Sequence, residues 1–213
     1  MNFSTDRDLL VLEPSVFVDV PFAAQQRVRV NDGELEGTTL SSVDTDFEVV
    51  GVEAGQVVLV DRVAYEVIDR LDATTLTISR PRARLSDPLV PGDTGSEREV
   101  LVRTFAPQAA LVHDALLRLL GIDPDDDSAG GLTEDAVVSL SVVARLEALG
   151  TLERIYSGAA AIGGDNEALL VKAQHYHRRF RESVAQASVL IDIDGDGRAD
   201  ERRHLGLIRL SRV

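Results

Sequence analysis

The residues best placed to do chemistry stand near the end of the chain, in Asp192-Ile-Asp194-Gly-Asp196-Gly197-Arg-Ala-Asp200. Carboxylates at alternate positions followed by glycine match positions 1, 3, 5 and 6 of a calcium loop, with the Arg198 carbonyl at position 7 and Asp200 at position 9. Position 12, where a bidentate carboxylate belongs, is Arg203. Two ligand oxygens are thereby replaced by a cation, and an EF-hand of the usual kind is not expected. The same residues also make a plain turn, since Asp caps backbone N–H groups and Gly accepts positive φ angles. A weak calcium site on Asp192, Asp194, Asp196 and Asp200 and a metal-free turn both stay open at this point.

Other chemistry-bearing residues are sparser. Of the four histidines, His175 and His177 share a predicted helix, but a two-residue step turns their rings about 200° apart, so they cannot grip one metal. His113 and His204 stand alone. The run Asp125-Asp126-Asp127 leads into Ser-Ala-Gly-Gly and reads as a solvated connector. No nucleophile elbow, Walker loop, dinucleotide turn or zinc-protease helix occurs, so no catalytic residue, cofactor or enzymatic activity is expected. Arginines gather late in the chain, at Arg178-Arg179-Phe180-Arg181, Arg202-Arg203, Arg209 and Arg212. Either they offset neighbouring acids, or they face an acidic partner or DNA phosphates without reading sequence.

The bulk composition narrows the classes. A net charge of −14 over 213 residues disfavours tight nucleic-acid binding, which needs basic patches that release counterions. Cysteine is absent, which removes disulfides and thiol chemistry. No apolar run reaches membrane-spanning length and no leader pattern opens the chain, so a soluble protein made in the cytoplasm is expected, with no membrane partner.

Patterning predicts an α+β fold: a bundle of three or more helices, a small antiparallel β meander or barrel in the N-terminal half, and a C-terminal β-hairpin or extended tail. Residues 1–34 form an N-terminal segment and 35–105 the β module, with Val57, Leu59, Val63, Tyr65, Val67, Leu76 and Ile78 in its core. Its strand runs include Phe47-Glu-Val-Val-Gly-Val, and Pro81 to Glu97 reads as a long exposed loop. The bundle spans 106–187. Its first helix opens at Pro107 and carries Leu111, Val112, Leu116, Leu117 and Leu120. The second is capped by Thr133 and carries Leu140, Val143, Leu146, Leu149, Leu152, Ile155 and Ala159. The third follows Gly163-Gly164, is capped by Asp165, and carries Leu169, Ala173, Tyr176, Phe180, Val184 and Ala187. Residues 188–213 form the terminal hairpin or tail. A hairpin at a chain terminus frays unless something ties it down, which points to a partner.

Three groups of segments resemble the head-to-tail connector, or adaptor, proteins of tailed bacteriophages and gene transfer agents. They are Thr45-Asp-Phe-Glu-Val-Val-Gly-Val-Glu-Ala-Gly-Gln-Val-Val-Leu-Val with Tyr65-Glu-Val-Ile and Ala73-Thr-Thr-Leu-Thr-Ile-Ser; Thr104-Phe-Ala-Pro-Gln-Ala-Ala-Leu-Val-His; and Lys172-Ala-Gln-His-Tyr-His-Arg-Arg-Phe with the Asp-Gly-Asp-Gly tail. The resemblance implies a non-enzymatic virion subunit at the head–tail junction. It would form a homo-oligomeric ring, a dodecamer in this family, dock under the portal protein, and pass the DNA channel to a stopper or tail-side neck protein. DNA would slide through without sequence-specific binding. The portal interface carried over by the resemblance is Ser188, Val189, Leu190, Ile191 and Ile193 with Leu205, Leu207, Ile208 and Leu210, a strand completing a sheet edge in the partner. The alternative is a calcium-dependent binding module built on Asp192 to Asp200.

Overall fold

The computed structural model describes residues 2–125, 131–162 and 166–206, and its fold is α+β. The chain divides into two compact units, Thr5–Ala106 and Met1–Ser4 with Pro107–Val213.

In the first unit, β1 (Gln26–Glu36), β2 (Thr39–Ser41), β3 (Val57–Val60), β4 (Val63–Arg70), β5 (Thr75–Ser79) and β6 (Gly95–Arg103) close a barrel in the order β1-β2-β5-β4-β3-β6. Every pairing is antiparallel. Side chains alternate across a strand, so Val58 and Val60 of β3 and Val100 and Val102 of β6 fill the interior with Tyr65, Val67, Leu76 and Ile78. Val57 and Leu59 are also buried, but they lie on the opposite face of β3. Val63, expected in the core, is 46% exposed, because it stands at the barrel rim beside the two-residue turn Asp61-Arg62. Both turn residues have positive φ, 49° and 67°, the twist a tight hairpin requires.

Two expectations for this half need correction. The β module begins at Gln26 rather than Leu35, preceded by helices α1 (Asp6–Leu12) and α2 (Val16–Asp19), all within the same unit. The polar run around Val28 and Val30 hid β1, whose register against β6 is interrupted by shifts. The run at Phe47 is a turn: the Asp46 carboxylate accepts the Glu48 and Val49 N–H groups at 2.9 Å each. A local aspartate cap thus overrides β-branched propensity.

Glu66 of β4 is fully buried between two arginines. The Arg82 guanidinium meets it at 2.5 Å, and Arg7 of α1 donates to its other oxygen. Arg7 also donates to the Arg82 carbonyl at 2.8 Å, and Arg82 to the Leu85 and Asp87 carbonyls at 3.0 and 2.7 Å. The loop after β5 is therefore anchored at one end, although Leu85 remains exposed. Removing one member of such a triad leaves an uncompensated buried charge, a loss of about 3–5 kcal/mol.

The second unit holds α3 (Ala106–Leu119), α4 (Leu140–Ile162) and α5 (Glu167–Gln186). Thr133 caps a single 3-10 turn, Glu134–Ala136, rather than α4. Helix α5 is capped by Asn166, whose side chain accepts the Leu169 N–H at 3.3 Å; the expected cap, Asp165, lies outside the described residues with Gly163-Gly164. The expected stripes face inward except at Leu111 and Leu140, which are exposed. Gly150 lets α4 approach its neighbours, because a Cβ there would stand 2.8 Å from Val112 Cγ1 and 3.1 Å from Phe180. Tyr156 and Tyr176 stack with ring centroids 5.7 Å apart across α4 and α5. Among the described residues no helix is long and apolar enough to cross a membrane.

Asp6 yields a pH prediction. Burial pushes its carboxyl up to about 6 from 3.8, against the opposing pull of Thr104, the Phe105 N–H and Arg27. A raised folded-state value means that the fold holds the proton more tightly than the unfolded chain does. The stabilisation is complete below pH 3.8 and lost as pH rises through about 6. Asp6→Asn keeps an acceptor for the Phe105 N–H and abolishes the titration. In urea unfolding at pH 4 and pH 7, the wild type should lose on the order of 3 kcal/mol relative to Asp6→Asn across that interval.

Candidate functional site

Helix α5 ends at Ala187 and hands the chain to β7 (Ser188–Ile191), which pairs antiparallel with β8 (Glu201–His204) from Ser188↔His204 to Ile191↔Glu201. β7 is not an edge. On its other side the Val138 N–H donates to the Leu190 carbonyl at 2.9 Å, the Asp192 N–H to the Ala136 carbonyl at 2.8 Å, and the Leu190 N–H to Ser139 Oγ at 3.0 Å. A bridge between Val137 and Ile191 completes this pairing.

The alternation of a strand then sorts the expected portal residues. Val189 and Ile191 point into the unit's own core with Leu117, Leu120, Ile122 and Val143, and neither has any exposed surface. They are unavailable to a partner, a correction to the expected interface. Ser188 and Leu190 are half-buried, Leu205 is half-buried against the same core, and Ile193 is 52% exposed. Leu207, Ile208 and Leu210 lie outside the described residues, as do Arg209 and Arg212. The backbone left without a strand partner among the described residues is the outer side of β8.

The turn between the strands is held by its own carboxylates. Asp192 accepts the Gly195 N–H and the Gly197 N–H at 2.7 Å each, Asp194 the Asp196 N–H at 3.2 Å, Asp196 the Arg198 N–H at 2.8 Å, and Asp200 the Ile193 N–H at 2.9 Å. Desolvation alone would raise the Asp192 carboxyl, but the N–H groups of Gly197, Gly195 and Asp196 outweigh it and hold the group below its ordinary range. Carboxylate oxygens of Asp192, Asp194 and Asp200 lie within 4.8 Å of one another, and Asp196 is outside that group. Three convergent carboxylates suit a hard, oxygen-loving cation, although calcium takes six to eight oxygens and the others would have to be carbonyls or water. Arg203, at the position where the loop should offer its bidentate ligand, is engaged elsewhere than on the loop aspartates. It donates to the Leu120 carbonyl beyond the C-terminus of α3 and, through Nη2, to Glu201 at 2.9 Å. A cation at that helix end complements the carbonyl dipoles.

The remaining residues singled out in the sequence are dispersed. His175 is exposed, with its ring edge-on to Tyr176, and His177 lies 3.6 Å from Glu153. His204 and Arg202 are exposed on β8, and Arg178 and Arg181 on α5. Asp125 pairs with Arg118 at 2.9 Å; Asp126 and Asp127 are outside the described residues.

One cluster escaped the sequence reading. Glu147 of α4 is fully buried and accepts the Phe3 N–H at 3.1 Å, the Ser4 N–H at 2.8 Å and the Ser4 hydroxyl at 2.7 Å. His113 of α3 stands between Glu147 and Glu134, its ring nitrogens 2.9 and 3.0 Å from their carboxylates. The available signal was a glutamate inside an apolar helical face, Leu146-Glu147-Ala-Leu149. Every oxygen of Glu147 is met, and Ser4 is directed at the carboxylate rather than at the imidazole. The arrangement clamps the 2–4 segment and His113 of α3 to α4.

Ile191→Ala tests the hairpin's attachment: emptying a fully buried site should lower unfolding stability by about 2–5 kcal/mol, while the same change at exposed Ile193 should cost less than about 0.5 kcal/mol. Denaturant midpoints of the two variants decide it. Comparison with protein-family models, curated proteins and solved structures returns no match, so the functional reading rests on the chain's own geometry and on the resemblance carried by its segments.

Proposed function

We propose that this chain is a structural subunit of a phage-type head–tail adaptor ring, docking beneath a portal through its C-terminal hairpin and linking head to tail. The observation that carries the reading is the asymmetry of the hairpin. Its inner strand is locked into the subunit's core, while the outer side of β8 has no strand partner among the described residues. A strand edge held rigidly at one side is suited to accept a strand from a neighbour, because no ordering cost remains on its own part. The acidity, −14 overall, also favours the reading: a like-charged wall lets DNA slide rather than stick.

Deleting everything from Ser188 onward is a poor test, because it strips Val189 and Ile191 from the core. A chain ending at Gly206 keeps the hairpin whole. With the portal protein of the same particle, native mass measurement should show the full-length protein and the shortened one both joining a ring-sized complex, since both keep the outer side of β8. A shortened chain that fails to join while keeping the full-length melting temperature, or no docking by the full-length protein, counts against docking through the hairpin.

A second reading, a calcium-stabilised turn, is favoured by the convergence of Asp192, Asp194 and Asp200. Calorimetry with calcium chloride separates it from a turn closed by hydrogen bonds alone. A saturable heat that Asp194→Ala removes, with a calcium-dependent rise in melting temperature, supports the metal; no heat supports the plain turn.

A further inference from the structure

The first unit carries a cavity of about 220 Å³ on the outer face of its barrel. Strand pairing sets Arg29, Leu101 and Leu59 in a row across β1, β6 and β3, and Glu99 and Arg103 flank Leu101 on the same face of β6. Val18 and Pro21, the first on α2 and the second just beyond it, form the opposite wall. The walls are aliphatic and the rim is cationic, in a unit whose surface is otherwise rich in acids.

The charges at the rim are unevenly matched. Arg29 is paired with Glu99 at 2.8 Å, which neutralises both. Arg62, projected by the left-handed turn between β3 and β4, is exposed and has no hydrogen bond or ion pair among the described residues. Arg103 donates through Nη1 to the Phe17 carbonyl at 2.8 Å. Its Nε is buried with no hydrogen-bond partner, and its Nη2 has none among the described residues. Nε is closed off from any ligand, so Nη2 is the donor left for one, and a guanidinium N–H gives a carboxylate a short, charge-assisted bond.

We propose that this pocket binds a short aliphatic carboxylate, its acid group on Nη2 of Arg103 with Arg62 alongside, and its hydrocarbon tail against Val18, Leu59 and Leu101. Size supports that class: a cavity of roughly 150 Å³ accepts a six-carbon ring, so about six carbons fit here. An inorganic anion would satisfy the arginines but leave the apolar walls without a partner. The proposal is independent of the adaptor reading, since it concerns a different face and a different unit.

Sodium hexanoate, hexanamide and inorganic phosphate are the probes, titrated into the full-length protein while the methyl resonances of Val18, Leu59 and Leu101 are followed by NMR. Hexanoate should shift these methyls saturably. Hexanamide, the uncharged isostere, and the variant Arg103→Gln should each weaken binding by about tenfold or more, the value of a charge-assisted pair. Phosphate should leave the methyls in place. Equal shifts from hexanoate and hexanamide, a phosphate response matching hexanoate, unsaturable shifts, or undiminished binding in Arg103→Gln would overturn the site. If Arg103→Gln proves unfolded, Arg62→Gln, on an exposed turn, replaces it and should weaken hexanoate at least threefold; unchanged affinity there sinks the proposal.

Discussion

A carboxylate taken out of water has to be surrounded by donors, and two glutamates in this chain impose that demand on everything near them. Glu66 in the barrel unit and Glu147 in the helical unit have no exposed surface. Their donors come from distant stretches: Arg7 is 59 residues from Glu66, and Ser4 is 143 residues from Glu147. Each glutamate therefore ties a remote segment to the core of its unit. Arg7 brings α1 onto the barrel, Arg82 anchors the loop after β5, and Glu147 gathers the 2–4 segment and His113 against α4. Apolar packing alone would not dictate these attachments, since it has little direction. Charge-assisted hydrogen bonds have both direction and a high cost of omission.

The helical unit supplies the platform on which the hairpin rests. Leu117 and Leu120 at the end of α3 and Val143 of α4 meet Val189 and Ile191 of β7. Arg203 of β8 reaches back to the Leu120 carbonyl, so the second strand is also pinned to α3. The Asp/Gly turn joins the two strands through five hydrogen bonds from its own N–H groups to its own carboxylates. A hairpin of only four residues per strand is marginal in isolation. Here the helices supply what it lacks, and the strand remaining open is the outer one.

Charge organises the two units differently. The chain carries a strong negative excess, yet its buried acids are met by arginine, histidine and backbone donors, and its more exposed acids cap turns, as half-buried Asp32 and exposed Asp46 and Asp61 do. Much of the acidity is thus employed in holding loops. Arg62 and Arg103 on the barrel's outer face are the exception, lining an apolar cavity without a carboxylate partner among the described residues.

Local patterns were sufficient for the class of fold. Short β-rich runs such as Gln56-Val-Val-Leu-Val and Thr74-Thr-Leu-Thr-Ile-Ser announced strands, heptad-like stripes announced the helices, and Asp192-x-Asp194-Gly-Asp196-Gly announced a turn between two strands, because each of these depends on neighbours a few residues away. The same logic misread β1 and the turn at Phe47, where polar composition and an aspartate cap competed with propensity. It also could not see that β7 would be covered by residues 136–139, that Val189 and Ile191 would be claimed by the core, or that three of four aspartates would converge. Arg29, Arg62 and Arg103 are far apart in the chain, and only closure of the barrel sets them around one cavity. The sequence by itself determined the elements and the chemical character of the turn; the tertiary structure alone decided which faces are left for a partner, because burial and the pairing of distant donors are settled by contacts that no local window contains.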